Sequence, residues 1–149
     1  MRVAERARPI RSVPRPTTAL IGRILLSAIF LTSGLAKLVD TDKTAGYMDA
    51  AGIPAAHTLA IIAGLAELLG GLSILFGVLT RIGALGLIVF LIPTTLIFHS
   101  FWTFEGAAQQ AQMANFMKNL AIMGGLFLLV AHGAGRYSVD ARLRRPMQP

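Results

Sequence analysis

Cysteine is absent from the chain, which removes disulfides, iron–sulfur clusters, thiolate metal sites and every dithiol redox mechanism. Histidine is nearly absent: His57, His99 and His132 are too few for a histidine-rich metal centre. Charge is scarce too. Charged residues make up 14% of the 149 positions and hydrophobic residues 54%, whereas soluble domains carry roughly 25% charged residues. That balance defines a single-domain membrane protein. Acids are fewer than bases, seven against fourteen Lys and Arg, for a net charge of +7. Such an excess can mark a nucleic-acid binder, but its placement argues otherwise. Arg2, Arg6, Arg8, Arg11 and Arg15 precede the first apolar run, and Arg136, Arg142, Arg144 and Arg145 follow the last. Basic tails beside apolar spans are flanks against anionic lipid, so membrane lipid is an expected partner and nucleic acid is not.

What is present is four apolar runs. The expected fold is all-α, an integral-membrane four-helix bundle over residues 17–135, with helices at about 18–39, 56–79, 82–104 and 114–134. A basic, proline-containing tail (1–16) precedes it and a second basic tail (136–149) follows. The first run is too long for a signal-peptide core and lacks a cleavage pattern, so it reads as a retained span. Asp40–Pro54 and Glu105–Met113 read as polar loops, and a tight turn at Thr80-Arg81 makes the second and third helices antiparallel neighbours. Pro93 should kink the third helix and free a carbonyl for Thr94 or Thr95. Lys and Arg dominate the two tails and the Arg81 turn, while the other two loops are net acidic. By the positive-inside rule both termini are expected in the cytoplasm.

Apolar periodicity says little where lipid and core are equally apolar, so polar and small residues carry the facing signal. Arg23, Ser27, Phe30, Gly34 and Lys37 recur at spacings of four and three, which is one helix face. Ala60, Gly64, Glu67, Gly71 and Val78 share a face of the second helix; Thr95, His99 and Trp102 align on the third; Lys118, Gly125 and His132 align on the fourth. Glu67 is the focus. A carboxylate inside a span must face a bundle interior with a cationic or hydrogen-bonding partner. Chain direction gathers Lys37, Glu67, His99, Trp102, Lys118 and Asn119 into one outer-leaflet cluster, with Arg23 and His132 near the cytoplasmic end. Plainer roles stay open: Lys37 snorkelling to the headgroups, Trp102 in an interfacial belt, Glu67 in a structural ion pair with Lys37 or Lys118.

Arg23 followed by SGLAKL, then ELLGGL with GVLTR, FHSFW, NFMKNLAIMGG and HGAGRYSVD, in this order, resemble the DoxX-like family of small four-helix membrane proteins. The resemblance covers about residues 20–140 and implies a bacterial cytoplasmic-membrane protein. Some relatives, DoxD among them, look like small membrane subunits of quinone-reducing oxidoreductases, with thiosulfate oxidation the named case. It therefore suggests an accessory subunit that binds quinone without a covalent cofactor. Glu67, His99 and Lys118 would handle protons and donate hydrogen bonds, and Lys37, Phe98, Trp102, Asn119 and Arg23 would line the site. Electrons would come from a partner subunit. Two other readings stand beside it: a non-catalytic anchor or assembly subunit, self-associating or docking other membrane proteins, and a small-molecule or lipid transporter.

Overall fold

A computed structural model describes residues 16–143. In order, it forms α1 (Pro16–Val39), α2 (Thr41–Ala50), α3 (Ala56–Phe76), α4 (Thr80–Phe98), a single 3-10 turn (Phe101–Thr103), α5 (Gly106–His132) and α6 (Val139–Leu143). No strand occurs among the described residues, and α1, α3, α4 and α5 are long and apolar enough to cross a membrane. The shortest of these has 19 residues and the longest 27. At ~1.5 Å per residue they reach roughly 28–40 Å, against a hydrocarbon core of ~30 Å. The all-α bundle expected from the sequence is the fold observed. The basic segments 1–15 and 144–149 lie outside the described residues.

Two expected loops are helical. Asp40 caps α2, its carboxylate accepting the Lys43 N–H, and Ala45 and Met48, three apart, bury against Ala56, Ala60 and Ala63 of α3. The helix is too short and too polar overall for a hydropathy reading to find. The Glu105–Met113 stretch belongs to α5, which starts at Gly106, eight residues before the expected position. Its Ala and Gln residues are good helix formers, and their polarity disguised them as loop. Helix α4 stops at Phe98, and the third span reaches Thr103 through the 3-10 turn, close to the expected 104. The turn into it sits at Gly77–Leu79, so Thr80 is already helical. Thr94 Oγ1 donates to Phe90 O rather than to Val89 O, the carbonyl that Pro93 leaves without an amide partner.

Packing in lipid depends on close backbone approach, and α1 packs on α3 through small residues. A Cβ on Gly34 would stand 2.8 Å from Gly64 O and from Leu68 N, so only glycine permits this contact. Helix α4 packs between α3 and α5, and α2 lies across α3 and α1. The core between them is Phe30, Ile74, Leu87, Ile88, Leu91 and Leu126. The α1–α5 side is looser and leaves a groove of about 640 Å³.

Candidate functional site

The Gly34 contact sets the register of the polar groups above it. Lys37, three residues along α1, is carried onto the Glu67 face of α3. Its Nζ donates to Glu67 Oε2 at 2.8 Å and to Ser33 Oγ at 2.6 Å. The Glu67 side chain is 7% exposed and that of Lys37 is 23% exposed. An ammonium has three hydrogens, so two are engaged and one is left. The exposed side of Lys37 faces a cavity of about 590 Å³ between α1, α2 and α4. Its apolar wall includes Met48, Ala63, Phe90 and Phe98; its polar wall includes Ser33, Lys37, Thr94 and His99. His99 is the C-terminal cap of α4, and its Nδ1 lies 2.8 Å from Gln112 Oε1 on α5. An amide oxygen can only accept, so Nδ1 carries the hydrogen and Nε2 of the neutral ring is the acceptor. The site is an apolar slot with a few convergent polar groups, the form that small-molecule pockets take.

The structure divides the single cluster expected from the sequence. Lys37, Phe98 and His99 line the cavity, and Glu67 is buried behind Lys37. Asn119 is buried and donates to Thr95 Oγ1 at 3.0 Å, tying α5 to α4. Trp102 is 56% exposed and stacks edge-on with Phe101 and Phe116 on the outside of the bundle. Lys118 is not in the cavity. It lines the α1–α5 groove and donates to Asn115 Oδ1, one turn back on its own helix. The face of α5 that is buried carries Asn119 and Leu126, one position round from the expected Lys118, Gly125 and His132. Phe90, Thr94, Met48 and Gln112 were not anticipated. Thr94 and Gln112 carried a weak signal as polar residues in or beside a span; Phe90 and Met48 carried none.

Arg23 lies at the other end, where the chain termini emerge. It is 2% exposed. Its guanidinium donates to Ile74 O (2.9 Å) and Leu75 O (2.7 Å) in the last turn of α3, and to Ala134 O (2.7 Å) and Tyr137 O (2.8 Å) beyond α5. The first two are carbonyls that the end of α3 leaves unpaired and the other two belong to the segment between α5 and α6, so one side chain ties α1 to both. Asp140 adds a second fastening. Its carboxylate accepts the N–H groups of Leu79 (2.8 Å) and Thr80 (3.0 Å) at the start of α4, and its own N–H donates to Gly77 O at 2.8 Å. Gly77 has φ +69°, and a Cβ there would overlap Ser138. The HGAGRYSVD stretch is therefore a structural knot built around Arg23.

The DoxX family model matches residues 18–100, which takes in α1 from its third residue to the end of α4, both members of the ion pair and the whole lining of the cavity. The chain belongs to the DoxX family. It is 40% identical over 126 residues to the inner membrane protein YqjF of Escherichia coli K12, covering 85% of this chain and 92% of that protein. Inner membrane protein YphA of the same organism is 37% identical over 128 residues, 86% and 91% of the two chains. The uncharacterized membrane protein Rv3486 of Mycobacterium tuberculosis H37Rv is 30% identical over 138 residues, 87% and 83%. No solved structure matches. This DoxX protein is accordingly a multi-pass inner-membrane protein with four spanning helices.

Proposed function

We propose that this DoxX protein is an accessory subunit of a quinone-linked oxidoreductase, with both termini in the cytoplasm and the cavity in the outer half of the membrane. The observation that carries the reading is Lys37: a half-buried cation with one hydrogen left over, facing a cavity of about 590 Å³ with a largely apolar surface, whose lining also includes Asp40 and Lys43. A quinone ring needs an apolar slot and donors for its carbonyl oxygens, and these residues fit both needs. Phe90, Phe98 and Met48 would cover the ring faces, and Lys37 would donate to one carbonyl oxygen. His99 can donate from its second nitrogen only when protonated or in the other tautomer. Glu67 accepts a hydrogen bond from Lys37 and fixes its direction. Quinone, when bound, supplies an acceptor for two electrons and two protons; the electrons would come from a partner protein, since the sequence carries no motif for haem, flavin or an iron–sulfur cluster.

The test is extraction of lipid-soluble ligands from protein purified in mild detergent, read by mass spectrometry for wild type and Glu67→Gln. The expected result is about one quinone per chain in wild type and a small fraction of that in the variant. Equal quinone in both, or none in either, would sink the proposal. A second reading, a non-catalytic anchor, is favoured by the way Lys37–Glu67 and Arg23 each bridge helices. It expects no quinone, and a co-purifying protein retained by both forms.

A further inference from the structure

We infer a second binding site, for the phosphate of an anionic membrane lipid, at the end of the bundle where the termini emerge. A pocket of about 640 Å³ opens there beside the last turn of α3. Arg136 and Arg142 line it from either side of the Ser138 turn, and neither side chain has a partner among the described residues. Arg23 closes the pocket floor and adds positive charge, with four of its five N–H groups given to carbonyls. Asp140, which is not in the pocket lining, accepts the backbone N–H groups of Leu79 and Thr80, and its charge also acts on Arg23.

Two guanidiniums around one opening suit the oxygens of a phosphate, which they bind through paired N–H groups. The surroundings select a lipid as the source. Phe76 and Tyr137 border the same pocket, each more than half exposed, and aromatic residues at a helix end mark the headgroup level of a bilayer. The chain's own tails are poor occupants. Residues 1–15 carry five Arg and only Glu5, and residues 144–149 carry Arg144 and Arg145 with no acid, so the pocket's charge would repel both. This site is independent of the quinone reading; it lies at the opposite end of the spans.

The test uses the full chain in mild detergent, offered phosphatidylglycerol or phosphatidylethanolamine and weighed intact by native mass spectrometry. Wild type should retain phosphatidylglycerol in preference by roughly thirtyfold, the factor expected for two basic groups at a charged surface. Arg136→Gln with Arg142→Gln should bring retention down to the phosphatidylethanolamine level. Each single exchange should lie between, which keeps the inference testable if the double variant is unstable. Thermal stabilisation by inorganic phosphate, absent in the double variant, would keep the phosphate site but assign it to a soluble anion. Equal retention of both lipids by wild type, or equal loss and equal melting in wild type and variant, would overturn the site and leave the arginines for an acidic protein partner.

Discussion

Arg23 and Lys37 are two cations on one face of α1, fourteen residues apart, and the bundle treats them in opposite ways. Arg23 is 2% exposed and donates to four carbonyls, all of them ends of helices or of the segment after α5. Lys37 has an exposed flank, two acceptors for three hydrogens, and a cavity in front of it. Burial of charge is therefore no guide to function in this molecule; the fraction of its hydrogen-bonding capacity already used is the better one. A cation whose donors are nearly all used fastens helices. One held by a carboxylate yet left open on one side can meet a ligand.

The largest effect that separates the two should come from Arg23→Met. The exchange keeps an apolar stem but leaves four carbonyls at the junction of α1, α3 and the post-α5 segment without their donor. Loss of about 3–5 kcal/mol is expected, with lower yield of folded protein, measured by thermal melting in detergent. Arg23→Lys should recover only part of this, because an ammonium cannot reach four carbonyls in a plane. Added ligand should not rescue either variant. A melting point within a degree of wild type would mean that the knot is not what holds this end together.

Glu67→Gln should give a smaller stability change and a larger ligand effect, the reverse of Arg23. Glutamine still offers Lys37 an acceptor, so the stability cost should be about 1–2 kcal/mol, while loss of the counter-charge removes the aim of Lys37 at the cavity. Melting curves and ligand content measured on the same preparations check this. A collapse as large as that of Arg23→Met would make the ion pair a second fastener and erase the distinction between the two ends.

Much of this arrangement is legible in the sequence. The four-and-three spacing of Arg23, Ser27, Phe30 and Gly34 picks out buried residues of α1, with Lys37 half-buried, and Ala60, Gly64, Glu67 and Gly71 do so for α3, whereas Val78 lies past the end of α3 and is exposed. Those helices pack through glycine and polar residues, which stand out against an apolar background. On α5 the same reasoning chose a face one position off, because Lys118 and Asn119 are adjacent and both polar, and only packing decides which turns inward. Asp40–Pro54 failed for another reason: a half-polar helix of ten residues lying on α3 has neither the length nor the hydropathy of a span. The Arg23–Asp140 end was invisible as a knot, since its partners are backbone carbonyls and amides with no sequence signature.

Lys118 gives the smallest expected effect and the sharpest check on where the boundary of the site runs. The sequence places it with Glu67 and His99; the structure turns it into the α1–α5 groove, exposed, with Asn115 its hydrogen-bond partner. A hydrogen bond between exposed neighbours on one helix contributes little, and the stem of a methionine covers the same surface. Lys118→Met should therefore change stability by less than about 0.5 kcal/mol. It should leave the ligand content of the cavity as in wild type. Ligand loss comparable to that in Glu67→Gln would mean that the α1–α5 groove and the cavity behind α2 work as one site across the bundle.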